Sequence, residues 1–141
     1  MSKQKQEEPR MDAHRVAIAP DPFARSNVAA GYTVGGLAFL SSVGPLDADG
    51  RLVGAGDFDA QAEQAFRNLE ALLAAAGSGL DRIVKVNIYL ADARHFPKLV
   101  ELRRTWFKPP YPADTVVEVN GLSGGALIEL EAIAAEGRIV G

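Results

Sequence analysis

Two segments close to the C-terminus read Tyr111-Pro112-Ala113-Asp114-Thr115-Val116-Val117-Glu118-Val119 and Ala126-Leu127-Ile128-Glu129-Leu130-Glu131-Ala132-Ile133-Ala134. β-Branched residues cluster in the first segment, and apolar residues alternate with others along the second, which predicts two strands. A Gly/Ser-rich turn over residues 121–125 separates the strands. The sequence therefore predicts that they pair with each other as an antiparallel hairpin.

Three carboxylates lie on this predicted pair, namely Asp114, Glu129 and Glu131. Glu129 and Glu131 are two positions apart, so on a pleated strand their side chains point to the same face. Two acids on one face of an otherwise apolar strand require solvent, a partner chain or a ligand.

Composition narrows the class of protein. The chain has 141 residues, which is the size of one domain, and we assign that domain to residues 15–141. Residues 1–14 are polar and are predicted to form a disordered tail. The absence of cysteine excludes disulfides, thiolate catalysis and sulfur-bound metal.

Charge and hydropathy indicate the compartment and exclude some partners. Lys and Arg number 15 against 18 acids, a net charge of −3, so the basic stripe typical of nucleic-acid binding is not expected. No apolar run approaches the length needed to span a membrane, and the N-terminus lacks the apolar segment of a signal peptide. These features predict a cytoplasmic protein without membrane partners.

The remaining chain predicts four further strands and two helices. Strands are expected over residues 15–19, 31–34, 37–41 and 83–90, with a tight turn at Gly35-Gly36 in the hairpin. A first helix, capped by Asp57 or Asp59, has one apolar face made of Ala62, Ala65, Phe66, Leu69, Leu72, Leu73 and Ala76. A second helix from Ala93 or His95 has a stripe of Phe96, Leu99, Val100, Arg103, Trp106 and Phe107.

The element order β-β-β-α-β-α-β-β predicts an α+β fold. Each helix has a single apolar stripe, so both helices are expected on the same face of a six-stranded sheet. In strand 83–90, alternation assigns one side to Val84, Val86, Ile88 and Leu90, and the other to Ile83, Lys85, Asn87 and Tyr89. The face away from the helices would carry Leu127, Glu129, Glu131 and Ile133, which is too apolar to remain exposed and predicts a closed homo-oligomer.

Several local strings, in their order and spacing, occur together in one known family. They are Phe39-Leu40-Ser41-Ser42-Val43-Gly44-Pro45-Leu46-Asp47, the helix with Ala60-Gln61 and Asn68-Leu69, Ile83-Val84-Lys85, Trp106-Phe107, Pro112-Ala113 and Ile128-Glu129-Leu130-Glu131-Ala132-Ile133-Ala134. Over residues 15–136 the chain resembles the RidA/YjgF family of reactive-intermediate deaminases, formerly called endoribonuclease L-PSP. The resemblance implies a chorismate-mutase-like homotrimer with small-molecule sites in clefts between subunits. It also implies cofactor-independent hydrolysis of amino-acid-derived enamines or imines to a keto acid and ammonia.

The resemblance implies roles for individual residues. Deaminases of the family carry an Arg directly after the Pro-Ala pair, where it holds the substrate carboxylate, whereas this chain has Asp114. At ~4 Å, repulsion between two unit charges amounts to about 1 kcal/mol in water and ~4 kcal/mol at a surface-like dielectric. Glu129 matches the family Glu that holds a water near the ligand. Asp114 and Glu129 are therefore the predicted catalytic residues, and the predicted substrate-binding residues are Val43, Gly44, Asn87, Phe107 and Tyr111.

Each assignment has a plainer alternative. Asp114 could be an ordinary turn residue, or it could pair with Arg25, Arg103 or Arg104 and only shape the cleft. Glu129 and Glu131 could be surface charges or members of a salt bridge. The aromatic residues could be core or cleft wall. His14 and His95 are isolated and lack ligand spacing, so no metal site is predicted.

Two functions from different classes follow. The first is a divergent imine or enamine hydrolase, hydratase or tautomerase that does not act on the standard 2-imino acids. The second is a non-catalytic trimer that binds ligands or protects other proteins. Ribonuclease activity, suggested by the family's former name, ranks last because the chain has a net charge of −3 and no basic patch.

Overall fold

The computed structural model describes residues 3, 4, 6 and 10–141. Within these residues, six strands form one sheet: β1 His14–Arg15, β2 Gly31–Val34, β3 Leu37–Leu40, β4 Ile83–Leu90, β5 Ala113–Glu118 and β6 Ile128–Ala135. Two α-helices, α1 Phe58–Ala75 and α2 Leu99–Trp106, complete the predicted α+β fold, which is confirmed. The predicted disordered tail falls partly on residues outside those described and stays a prediction.

The predicted hairpin of the last two strands is wrong. The strand order is β1-β2-β3-β6-β4-β5, so β4 lies between β5 and β6, parallel to the first and antiparallel to the second. The crossover through α2 returns the chain in the direction of β4, which makes β4 and β5 a parallel pair. The following segment then passes the end of β4, where the Val119 N–H donates to the Leu90 carbonyl at 2.8 Å and the Ala91 N–H to the Leu127 carbonyl at 3.1 Å.

The first helix follows its sequence pattern closely. The Asp57 side chain caps the start of the helix by accepting a hydrogen bond from the Ala60 N–H at 3.1 Å. The helix ends just before Gly77, and Gly77 has a φ of +77°. All seven residues of the predicted apolar face are buried. The hairpin turn is also confirmed, since Gly35 and Gly36 have φ of +57° and +80°, a conformation that glycine adopts without strain.

The second helix turns only part of its predicted stripe inward. Leu99 is buried, and the Trp106 ring stacks on Phe66 of α1 at 5.3 Å between ring centroids. Val100 is 52% exposed and Phe96 is 39% exposed, contrary to the prediction. Residues Ala93–Lys98 form a 3₁₀ helix, whose three residues per turn rotate the faces relative to an α-helix.

A β-bulge changes the start of β4. Ile83 is buried and Val84 is 41% exposed, the reverse of the prediction, because the register slips between Ile83 and Lys85. Beyond the bulge, the predicted alternation holds, and Val86, Ile88 and Leu90 are buried. The first strand is shorter than predicted: it consists of His14 and Arg15, and its last contact with β2 is the hydrogen bond from the Val16 N–H to the carbonyl of Gly31, the first residue of β2, at 2.9 Å.

The sheet has two different faces. Both helices pack on one face and form a single core with β3, β4 and β6, which confirms the predicted layering. The other face, here called the open face, carries side chains that share register positions across the strands: Tyr32, Phe39, Lys85, Asn87, Tyr89, Val117, Glu129, Glu131 and Ile133. None of the helices in the described ranges is long and apolar enough to cross a membrane.

Candidate functional site

Asp114 forms a two-pronged ion pair with Arg103. It lies on β5 directly beside Val86 of β4, which is fully buried, so Asp114 points toward the helices. The Arg103 Nε donates to Oδ2 at 2.9 Å and Nη2 donates to Oδ1 at 3.0 Å. The side chains are only 29% and 18% exposed. Of the three arginines considered as partners from the sequence, the structure selects Arg103.

Glu129 lies on the opposite face of the sheet from Asp114. It pairs with Tyr89 on the open face, whereas Asp114 shares its register row with Val86 and Ala132 on the core side. Since side chains alternate along a strand, the two predicted catalytic carboxylates face away from each other. One chain by itself therefore does not bring them together.

The Glu129 carboxylate lies on the open face beside Gly44. Among the residues that the structure describes, none donates a hydrogen bond to its side chain. A side chain at Gly44 would begin 3.6 Å from Cγ and 3.8 Å from Oε1 of Glu129. Gly44 therefore lies directly beside this carboxylate and has no side chain that could cover it.

Glu131, two positions along the same face, is engaged by its neighbours. Its Oε1 accepts hydrogen bonds from Asn87 Nδ2 at 2.9 Å and from the Tyr89 hydroxyl. Donation to this carboxylate raises the pKa of Tyr89 above its ordinary value of 10.0. Glu131 and Asn87 border a shallow cavity of about 200 Å³ whose other walls include Phe39, Lys85 and Ile133. Asn87 therefore borders this cavity with its amide bonded to Glu131, and its role in substrate binding stays a prediction.

Asn68 of α1 holds the loop that presents Gly44. Its Nδ2 donates to the carbonyls of Gly44 and Leu46, each at 2.8 Å. Its Oδ1 accepts from Gln64 Nε2 at 2.9 Å, which fixes the orientation of the amide. The string Asn68-Leu69 contributes to the family resemblance, but the sequence analysis predicts no role for Asn68. A single amide side chain on a helix does not reveal which distant loop carbonyl it will bind.

Gln61 performs a similar task from the buried face of α1. The residue is fully buried, its Nε2 donates to the Gly54 carbonyl at 3.0 Å, and its Oε1 accepts from the Leu127 N–H at 2.8 Å. It thereby links the loop before α1 to the entry of β6. The sequence feature that could have indicated this role is the position of Gln61, a polar residue, next to the apolar face of α1.

Two residues that are predicted to bind substrate, Val43 and Phe107, have side chains buried in the core. Val43 pairs with Leu130 through two backbone hydrogen bonds of 2.8 and 2.9 Å, and directly paired residues share a face, which here is the core face. Phe107 is 3% exposed and packs edge-on against Phe66. Neither side chain borders the two surface cavities described here.

Tyr111 lies at the rim of the helix layer. Its side chain is 52% exposed and borders a groove of about 190 Å³ together with Val100, Arg103 and Arg104. The groove is on the same side of β5 as the Arg103–Asp114 pair, away from Glu129.

The histidines are separate from both cavities. His14 lies in β1, and His95 stacks on Phe58 at 4.1 Å between ring centroids. In the part of the chain that is described, no group of three or more His, Cys, Asp or Glu side chains is arranged to hold a metal ion. The predicted absence of a metal stays a prediction.

Comparison with known proteins gives consistent matches over most of the chain. The profile described as endoribonuclease L-PSP matches residues 18–136. Protein HMF1 of Saccharomyces cerevisiae is 40% identical over 115 residues, which cover 82% of this chain and 88% of that protein. The 2-iminobutanoate/2-iminopropanoate deaminase of Mus musculus is 36% identical over 98 residues, covering 70% and 72%. The crystal structure of RidA from the Antarctic bacterium Psychrobacter sp. PAMC 21119 aligns with a TM-score of 0.80 at 32% identity, covering 86% of this chain and 98% of that one.

Proposed function

The chain belongs to the endoribonuclease L-PSP (RidA/YjgF) family, and on that premise we propose that it hydrolyses imines or enamines in clefts between the subunits of a homotrimer. Water adds to the imine carbon, the carbon–nitrogen bond breaks, and a carbonyl compound and ammonia leave. An enamine first takes a proton on carbon to become the imine. The reaction needs neither an oxidant nor a reductant. The relative from Mus musculus is named for this type of reaction.

The observation that carries the proposal is the free Glu129 carboxylate beside Gly44. No described neighbour donates a hydrogen bond to its oxygens, and residue 44 has no side chain that would cover Oε1. Such a carboxylate can accept a proton from the attacking water and return it to the departing nitrogen. Asn68 supports this arrangement because it fixes the carbonyl of Gly44.

The open face supports the proposed trimer. Tyr32, Phe39 and Val117 are each at least 40% exposed there, on a sheet face that the two helices do not cover. Large apolar side chains grouped on one face are typical of a contact between subunits. A neighbouring subunit that covered this face would also enclose the space beside Glu129.

The substrate follows from the charge at the Arg103–Asp114 pair. The resemblance puts a substrate-binding Arg at position 114, where this chain has an acid that Arg103 neutralises. The position thus offers a carboxylate no net attraction, in place of about 1–4 kcal/mol from a free cation at ~4 Å. We accordingly propose substrates without a carboxylate next to the imine carbon, rather than the standard 2-imino acids.

The test compares ammonia release from two sets of imines. An amine oxidase generates imines that lack a carboxylate, and an amino acid oxidase generates 2-imino acids. The protein is expected to accelerate ammonia release from the first set more than from the second. If it accelerates neither set while ligands still raise its melting temperature, the alternative of a non-catalytic ligand-binding trimer is favoured.

A further inference from the structure

Tyr89 is the direct cross-strand neighbour of Glu129 on the open face. The two residues oppose each other in the register of β4 and β6, and directly opposed side chains have Cβ atoms about 5 Å apart. The hydrogen bond to Glu131 raises the pKa of Tyr89 most, and the nearby charge of Glu129 adds to the shift. The Tyr89 hydroxyl and the Glu129 carboxylate therefore lie close to the same space.

The hydrogen of the Tyr89 hydroxyl is already committed to Glu131, whose Oε1 accepts it. Asn87 Nδ2 donates to the same oxygen at 2.9 Å, so two neighbouring side chains hold this carboxylate in place. A phenol has one hydrogen to donate, but its oxygen also accepts. With that hydrogen occupied, the Tyr89 oxygen meets a ligand as an oriented acceptor.

An acceptor beside Glu129 suits one particular form of the substrate. An imine that is protonated on nitrogen carries N–H donors and has a more electron-poor carbon, which water attacks more readily. We propose that the Tyr89 oxygen accepts an N–H hydrogen bond from the protonated imine and thereby selects cationic imines, a role that rests on the proposed hydrolysis. Water and the protonated imine give a carbonyl compound and an ammonium ion, so atoms and charge balance. Glu131 is a positioning residue for the Tyr89 hydroxyl.

The charges of the open face favour a cation at this place. Of the residues that define the open face, Glu129 and Glu131 are acidic and Lys85 is basic. Lys85 is four residues from Tyr89 along β4, about 13 Å at the usual rise per residue, and its Nζ donates to Thr115 Oγ1 at 2.5 Å. A small planar cation at the Tyr89 oxygen therefore has the two carboxylates as its nearest charges on this face.

The test measures binding of acetamidinium, a stable planar cation whose N–H groups resemble those of a protonated imine. Acetamide has the same shape without the charge, and tetramethylammonium has the charge without N–H donors. Calorimetric titration of the intact protein should show tighter binding of acetamidinium than of either control. Tyr89→Phe should weaken acetamidinium binding about tenfold, the loss expected for one hydrogen bond to a charged group, and leave tetramethylammonium binding unchanged. Tyr32→Phe is the matched control, because Tyr32 is a 45% exposed tyrosine of the same face that pairs with Phe39.

The positioning role of Glu131 has its own readout. Glu131→Leu frees the Tyr89 hydroxyl to rotate, so acetamidinium should bind more weakly, whereas Glu131→Gln keeps an acceptor and should retain most of the affinity. Absent binding of acetamidinium, equal binding of tetramethylammonium, unchanged affinity in Tyr89→Phe, or equal losses in the two Glu131 variants would each overturn the proposal. These measurements do not depend on turnover. A protein that binds acetamidinium through Tyr89 but hydrolyses no imine would contradict the proposed hydrolysis and leave the Tyr89 hydrogen bond intact.

Discussion

The guanidinium of Arg103 on α2 holds both carboxylate oxygens of Asp114 on β5. β5 is an edge strand of the sheet, with β4 as its single neighbour. None of its six residues is buried. Apolar burial therefore stabilises this strand less than it stabilises β4 or β6. The ion pair is a specific connection between the edge of the sheet and the helix that covers it.

Removal of the arginine should destabilise the fold measurably. In Arg103→Met, a carboxylate that is only 18% exposed loses its partner, so the free energy of unfolding is expected to fall by about 1–3 kcal/mol. Urea denaturation provides the measurement. Arg67→Met is the control, because its ion pair with Glu63 is 62% and 57% exposed and should contribute at most ~0.5 kcal/mol. Equal effects in the two variants would contradict this role of the pair.

Asn68 should matter for both stability and activity. Asn68→Ala removes two hydrogen bonds to the Gly44 and Leu46 carbonyls and is expected to cost about 1–2 kcal/mol, measured by denaturation. The loop beside Glu129 would then be less ordered, so kcat should also fall. Gln64→Ala, which removes only the bond to the Asn68 side chain, should have the same sign and a smaller effect. A fully active Asn68→Ala protein would disprove the positioning role.

The β-bulge makes a paired prediction for adjacent residues. Val84→Lys places a charge at a 41% exposed site and should change stability by no more than about 0.5 kcal/mol. Ile83→Lys buries a charge at a 3% exposed site and should cost more than about 3 kcal/mol or prevent folding. Thermal melts of the two variants measure the loss of stability in each. A larger loss in Val84→Lys than in Ile83→Lys would mean that β4 alternates without a bulge.

Tyr89 makes a prediction for alkaline pH. Its hydrogen bond to Glu131 raises the pKa of the phenol above 10.0. Since the folded-state pKa exceeds the unfolded one, the resulting stability is fully present below pH ~10 and is lost as pH rises through the folded-state pKa. Glu131→Gln should bring the pKa of Tyr89 down, visible in an ultraviolet titration of the three tyrosines. Identical titration curves for wild type and variant would show that the bond does not form.

The sequence predicted a structural feature correctly where that feature depends on contacts between residues close together in the chain. The helical periodicity of apolar residues predicted α1 and its apolar face, and the glycine pair Gly35-Gly36 predicted the hairpin turn. Both features are determined by neighbours along the chain. The antiparallel pairing of β5 and β6 was predicted from their proximity in sequence, whereas β4 from earlier in the chain takes the place between them. Local patterns carry no information about such an insertion.

The same distinction applies to the candidate site. Alternation placed Glu129 and Glu131 on one face, and the structure agrees. The partner of Asp114 had three candidates, since the choice among arginines depends on how α2 sits over β5. The separation of Asp114 from Glu129 depends on the register of three strands, and Asn68 and Gln61 act on loops distant in sequence. These relationships exist only after folding.

The most direct test of the proposed hydrolysis is kcat for imine hydrolysis in Glu129→Gln beside Glu131→Gln. Both variants remove one negative charge from the same face of β6, but only Glu129 is left without a hydrogen-bond donor by its described neighbours. Glu129→Gln should lower kcat by about 10²–10⁴, as expected for loss of a general base, and Glu131→Gln should lower it far less. Equal losses in the two variants, or full activity in Glu129→Gln, would contradict the assignment of Glu129 as the catalytic carboxylate.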